Sequence, residues 1–277
     1  MDSHEISAHM AVYAISPDVQ AVQTQFRTEL LNRWGILPGA KVLEIGCGQG
    51  DMTAVLAAAV GDKGHVTAVD IADPSYGAPI TLGDSAAALI RSPLGRRITF
   101  HFEYDVLDPA HLFEDNAFDY VVMAHCSWYF ANLDQIRQTL QHIRPWARRL
   151  CFSEWDIEPQ GFDQTAHLLS VLIQGQIEAH RTDSEANVRT PFSKAKLRKM
   201  LQTAGWEETS ENAVDSSALQ DARWEIDNCL HAYAVELDSP TLPAKVLSLL
   251  GSQVDVLRSL AASGAYRALP SYTIVAK

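Results

Sequence analysis

The chain carries little positive charge for its size. Its 277 residues hold 22 Lys and Arg against 34 Asp and Glu, a formal charge of −12. Phosphate backbones are bound through Lys and Arg, so this balance argues against a nucleic-acid partner. The densest basic stretches, RSPLGRR (91–97) and RPWARR (144–149), fall where solvated connections are expected. Cysteine is scarce: Cys47, Cys126, Cys151 and Cys229 form no C-x-x-C pair. That excludes a disulfide framework and leaves buried free thiols as the expectation. Within the glycine-rich loop, Cys47 has no base beside it in sequence to activate it. No apolar run approaches the roughly 20 residues of a membrane span, and mean hydropathy is −0.07. The N-terminus, MDSHEISAHMAVYAISPD, lacks a basic-then-apolar leader, so a cytoplasmic location is expected. Neither H-E-x-x-H nor H-x-x-x-H occurs, and His167 and His180 are 13 residues apart. No metal is therefore expected.

What remains is a globular composition, 47% hydrophobic and 20% charged, without repeats or low-complexity tracts. Val19, Val22, Phe26, Leu30 and Trp34 recur at helical spacing over 18–34. Next come an apolar strand (KVLEIGCG), an alanine-rich helix (MTAVLAAAV) and a strand (HVTAVDIA) ending at Asp70. Such a β–α–β unit implies parallel strands with a right-handed crossover. The alternation continues through LGDSAAALIRS (helix), RITFHFEYD (strand, to Asp105), FDYVVMAHC (strand), LDQIRQTLQHIRP (helix) and RLCFSEWD (strand). A doubly wound, mostly parallel α/β sheet is the architecture this predicts, with ligands beyond the carboxyl ends of the strands. Asp70, Asp105, His125 and Glu154 then share one rim. After Trp155 helices dominate, at 163–181, SKAKLRKMLQTAGW, 219–236 and 243–262; strands are expected at 207–214 and in SYTIVAK. The organisation predicted is one domain over 1–277. Residues 1–156 form a cofactor-binding core, 157–190 and 215–265 a helical cap, and 266–277 the closing strand.

The stretch VLEIGCGQGD (42–51) decides between ligands. A dinucleotide loop is G-x-G-x-x-G, whereas Gly46, Gly48 and Gly50 give G-x-G-x-G, with acids at Glu44 and Asp51. Two carboxylates beside a pyrophosphate are unfavourable; beside a ligand carrying a sulfonium and an ammonium they are welcome. E-x-G-x-G-x-G before a helix resembles the first motif of the class I S-adenosylmethionine-dependent methyltransferases. VTAVDIA, EYDVLD and FDYVVMAHCSWYF resemble the segments that follow in that family, over about 18–156. The resemblance implies a seven-stranded Rossmann-like methyltransferase fold with a helical cap, and S-adenosylmethionine as cofactor. It implies Asp70 on the ribose hydroxyls, Asp105 on the adenine amino group, Val106 on its ring, and Ala124, His125 and Tyr129 near the methionine end. Glu44, Gly46, Cys47, Gly48, Asp51, Met52 and Ile71 complete the implied cofactor set.

Methyl transfer needs alignment, desolvation and, for some acceptors, a base. The catalytic candidates are His125, Glu154 and Tyr129. His125 is either a base or a histidine that orients the loop and cofactor. Alternation sends Glu154 and Asp156 to one side if the strand continues. LLSVLI (168–173) either lines a hydrophobic acceptor pocket or buries the cap on the sheet. His231 and Trp224 can reach the pocket from the cap, and Tyr13 and Ile15 suggest an N-terminal lid. The function expected is methyl transfer to a small organic acceptor, with no nucleic-acid or membrane partner. The rivals are a protein of this fold that uses the cofactor for rearrangement or cyclisation, a non-enzymatic ligand-binding regulator and, more distantly, a dehydrogenase.

Overall fold

A computed structural model describes residues 1–182, 184, 186–238 and 240–277; the side chains of Tyr13 and Ala14 lie outside the described set. Seven strands make one sheet: β1 (Lys41–Ile45), β2 (His65–Val69), β3 (Ile98–His101), β4 (Phe118–Ala124), β5 (Ala147–Trp155), β6 (Glu208–Val214) and β7 (Ser271–Ala276). Their order is β3-β2-β1-β4-β5-β7-β6. Strands β1 to β5 are parallel, while β7 runs antiparallel to both β5 and β6. Val42, Leu43, Val121 and Val122 are wholly buried, as expected for parallel strands covered on both faces.

Helices flank the sheet: α1 (Ser3–Ser7), α2 (Pro17–Trp34), α3 (Asp51–Val60), α4 (Leu82–Arg91), α5 (Leu133–His142), α6 (Thr165–Glu178), α7 (Lys194–Thr203), α8 (Asp221–Asp238) and α9 (Ala244–Ala262). Gly35 closes α2 in a left-handed conformation, the usual glycine termination. On α2 the Phe26, Leu30 and Trp34 side chains are buried, but in its first half the buried residues are Gln20, Gln23 and Thr24. Val22 packs against the sheet core and Val19 stays partly open, so the amphipathic helix stands, with polar residues sharing its buried face.

Three helices form the cap. Ile173 and Ile177 of α6, Ile226 and Cys229 of α8, and Leu250 and Val254 of α9 share an apolar core separate from that of the sheet. Helix α6 joins the two, because Val171 belongs to the sheet core. LLSVLI thus buries the cap on both sides, with Leu172 the exposed exception. His180 lies beyond the end of α6, and His231 on α8 is exposed.

The register fixes the functional rim. Ile45, the last residue of β1, pairs with Val69 at the end of β2 and with Met123 near the end of β4. The chain leaves β1 towards β2 and β3 on one side, and later towards β5 on the other. A crevice opens where that order reverses. Strand β3 stops at His101 rather than at Asp105. Glu103 turns the chain with φ +53, and the Tyr104 N–H donates to the Asp70 carbonyl at 2.9 Å. The segment therefore wraps the end of β2, with Asp105 in the loop beyond.

Candidate functional site

The three glycines serve different ends. A Cβ on Gly46 (φ +73) would lie 2.5 Å from Cys126 Cβ, and one on Gly50 (φ +85) would lie 2.7 Å from Leu89 Cδ1. Both are forced by contacts inside the protein. Gly48 (φ +51) has nothing within 4 Å of its Cβ position. Its backbone faces open space, which is where a ligand approaches closely.

Asp70 follows β2 and ties this loop. Its Oδ2 accepts the Gly48 N–H at 2.8 Å and its Oδ1 the Ala72 N–H at 3.0 Å. Beside it Ile71 is exposed, an apolar surface next to a carboxylate. Asp105 Oδ1 accepts the Leu107 N–H at 2.8 Å, while Val106 is buried among core residues. A carboxylate on each of two adjoining loops, a bare glycine backbone and an apolar side chain could hold an adenosine group. Val106, mostly covered, backs the loop.

Glu44 is buried at the end of β1. It accepts the Thr53 hydroxyl at 2.6 Å, and burial pushes its carboxyl up to about 8, against the pull of Thr53 and Arg27. It orders the loop from below. Burial also pushes the Cys47 thiol far up, so Cys47 is no nucleophile. All four cysteines are free and buried. Asp51 opens α3 and accepts the Gln20 side-chain amide at 2.7 Å. Met52 is buried behind it.

Beyond β4, Ala124 is half-buried, and His125 adopts φ +52. Its N–H donates to the Ser153 carbonyl at 2.9 Å. Its Nε2 lies 3.1 Å from Ser153 Oγ and 3.0 Å from Ser271 Oγ. Phe26 and Trp155 meet the imidazole edge-on. Burial lowers its pKa to about 3, and Arg27 adds to the effect. With the ring neutral, the 3.6 Å approach of Nδ1 to Glu154 Oε1 is no ion pair. Glu154 itself is buried. Its Oε2 takes the Ser127 N–H at 3.1 Å and the Ser127 hydroxyl at 2.6 Å, and its Oε1 the Trp155 N–H at 3.0 Å. Burial holds it up at about 7 despite these bonds. Ser127 begins the short 3-10 turn Ser127–Tyr129, so Glu154 anchors the turn that presents Tyr129. Tyr129 keeps 48% of its surface open. Its phenol is raised by the surrounding protein and then by Glu225, Glu154, Tyr76 and Asp221.

Asp156, just past β5, has another role. It pairs with Lys194 of α7 at 2.7 Å, so the strand end separates it from the Glu154 group. Trp224 is half-exposed on α8. Among the described residues no cluster of three or more His, Cys, Asp or Glu fits a metal ion.

The sequence reading missed one wall of the cleft. Gln20, Gln23 and Arg27 lie on one face of α2. Asp221 of α8 accepts the Gln23 amide at 3.0 Å, and Glu225 accepts the Gln174 amide at 2.8 Å. Burial raises both carboxyls. The signal available was a run of polar residues at i, i+3 and i+7 in an otherwise amphipathic helix.

Comparison with known proteins agrees with this geometry. A methyltransferase-domain model matches residues 42–149, and a protein-L-isoaspartate(D-aspartate) O-methyltransferase model matches 4–75. Methyltransferase phomM′ of Diaporthe leptostromiformis is 31% identical over 163 residues, half of this chain and 41% of that protein. The match thus spans well under half of that relative. The ubiquinone/menaquinone biosynthesis C-methyltransferase UbiE of Vibrio cholerae is 27% identical over 186 residues, 64% of this chain and 67% of that protein. The crystal structure of a cyclopropane-fatty-acyl-phospholipid synthase-like protein from Lactobacillus casei superposes with a TM-score of 0.88 and 34% identity, over 99% of this chain and 98% of that one. With the sheet order, the glycine loop and a relative matched along its whole length, the chain belongs to the class I S-adenosylmethionine-dependent methyltransferase superfamily.

Proposed function

We propose that this protein transfers a methyl group from S-adenosylmethionine to a small organic acceptor held beneath the helical cap. The observation that carries the reading is the open backbone of Gly48, bonded to Asp70 and facing space. When bound, the cofactor supplies an electrophilic methyl group on a sulfonium. The chain's own residues bind, orient and exclude water. Asp70 and Asp105 hold the nucleoside end, and Glu44 keeps the loop in shape from beneath. Phe26 and Trp155 stack on each other near His125 and keep the inner wall dry.

Neither His125 nor Glu154 is a free base. His125 is neutral between two serines, and Glu154 is bonded to Ser127 and Trp155. We assign both to positioning: Glu154 sets the Ser127–Tyr129 turn and His125 joins the ends of β4, β5 and β7. Tyr129, open to the cleft, is the candidate that touches the acceptor. An acceptor whose nucleophile needs no strong base suits such a site. The engagement of His125 and Glu154 in positioning bonds also suits a second reading, in which the cofactor is bound and a rearrangement or cyclisation is catalysed without methyl transfer. Release of S-adenosylhomocysteine separates the two. The wild type is incubated with S-adenosylmethionine and fractionated small-molecule pools, beside Asp70→Ala. Acceptor-dependent release that Asp70→Ala loses supports methyl transfer. Tight cofactor binding with no release from any pool favours the second reading.

A further inference from the structure

Carboxyl groups gather on this side of the sheet: Asp51, Asp70 and Asp105 on the segments that follow β1, β2 and β3, and Asp221 and Glu225 on α8, with Glu44 buried beneath the loop. They suit the sulfonium and the ammonium of the cofactor proposed above. They do not suit its third charge. The α-carboxylate at the methionine end would enter a partly enclosed, acid-lined space, and an unpaired buried charge is costly.

A cation on α2 is placed to meet it. Arg27 lies on the face of α2 that also carries Gln20 and Gln23. Gln20 reaches Asp51, the first residue of α3, and Gln23 reaches Asp221, the first residue of α8. The next residue along α2's buried side, Phe26, meets His125 at 5.4 Å between ring centroids. Arg27 is thus placed between the glycine loop, the end of β4 and the cap. Its charge acts on Glu44, His125 and Asp221. Yet no carboxylate lies within 4 Å of it among the described residues. Its Nη1 donates only to the Gln23 carbonyl, at 3.2 Å, and to the Gln23 side-chain oxygen. Its Nε and Nη2 have no protein acceptor among those residues. Other cations of the neighbouring elements are engaged: Lys194 with Asp156, Arg181 with Glu178 and Glu236, and Arg189 with the Tyr129 carbonyl at 3.2 Å.

We infer that Arg27 is a cofactor-binding residue that takes the α-carboxylate of the methionine end through its free guanidinium edge. A planar fork matches a carboxylate with two parallel hydrogen bonds, which a lysine does not reproduce. Gln23 holds the guanidinium from its other side and links it to Asp221, so the carboxylate anchor and the first turn of the cap share one chain of bonds.

The inference rests on the cofactor reading, and its test keeps the two apart. Calorimetric titration compares S-adenosylhomocysteine with its decarboxylated analogue, which keeps the adenosine, sulfur and ammonium. Wild type binds the intact ligand more tightly. Arg27→Ala weakens S-adenosylhomocysteine by about tenfold to a hundredfold and leaves the analogue unchanged. Arg27→Lys falls between, and thermal melting of each variant confirms that it folds. Equal weakening of both ligands makes Arg27 an organiser of the cleft and overturns the assignment. So does no weakening of either. Failure of the wild type to bind either ligand removes the cofactor reading, and this assignment with it.

Discussion

At the scale of single residues, three glycines in one loop separate folding from binding. Alanine at Gly46 must adopt φ +73 and also overlap Cys126 Cβ. The left-handed conformation costs about 1–2 kcal/mol and the overlap about 1–3 kcal/mol more. Alanine at Gly48 meets only the conformational cost. Urea denaturation is therefore expected to show a loss of several kcal/mol for Gly46→Ala and about 1 kcal/mol for Gly48→Ala. The order reverses for ligand affinity, because only the Gly48 methyl enters the open space. Equal affinity of Gly48→Ala and wild type for S-adenosylhomocysteine would place the ligand elsewhere. Glu44 supplies a second prediction. Its folded pKa of about 8 stands above the ordinary carboxyl value of 4.5. The stability this gives is complete below pH 4.5 and is lost as pH rises towards 8. Glu44→Gln removes that titration and flattens the decline between pH 5 and 8 by up to about 1.4 kcal/mol per pH unit. Buried His125 acts oppositely: with its folded pKa near 3, its contribution is present above 6.5 and lost as pH falls. A Glu44→Gln slope identical to wild type would mean that the carboxyl ionises normally.

At the scale of elements, the ends of β4 and β5 form a brace. Glu154 receives two donors from Ser127 and one from Trp155, all enclosed. Glu154→Ala leaves those donors unpaired and costs about 3 kcal/mol, whereas Glu154→Gln keeps an acceptor and costs less. Should Glu154 only position Tyr129, Glu154→Gln changes the acceptor KM and leaves the pH profile of kcat intact. Loss of a limb near pH 7 would instead show that Glu154 carries a proton in the reaction. Much of this arrangement was legible in the sequence. The glycine loop, the strand that ends beside Asp70 and the alternation of helices and strands are local patterns, and each stands where its spacing put it. The exceptions have non-local causes. Strand β3 was read four residues too long because its end is set by hydrogen bonding around Asp70, not by apolar spacing. The first half of α2 was read as amphipathic from Val19 and Val22, and its buried polar residues were missed. Gln20 and Gln23 are buried there with partners on α3 and α8, and Thr24 with Gln20 of its own helix. The enclosure of His125 depends on Ser271, 146 residues away, and no local pattern announces it.

At the scale of the whole molecule, the N-terminal segment closes over the region where α2, α3 and α4 begin. Ile6 and Met10 are buried in the sheet core. Helix α1 packs on α2 and α3, and the 3-10 turn Ala11–Ala14 packs on α2 and α4. Helix α3 follows the glycine loop and α4 follows the Asp70 loop, so a segment touching them borders the proposed cofactor cleft. Ile15 keeps 58% of its surface open, an apolar side chain placed to gain contacts if the segment tightens. Deleting residues 1–16 is a poor probe on its own. It also exposes the pocket that held Ile6 and Met10, at about 1.5–3 kcal/mol per side chain. Hydrogen exchange on the intact chain avoids that confusion. S-adenosylhomocysteine is expected to slow amide exchange in residues 6–16 as well as in the glycine loop, since a closed lid opens less often. Slowing confined to residues 46–51 and 70–72 would leave the N-terminal segment as a structural brace that takes no part in holding the ligand. In either case the buried Ile6 and Met10 fix the first half of the segment in the core, so a response to ligand is expected in the turn that follows.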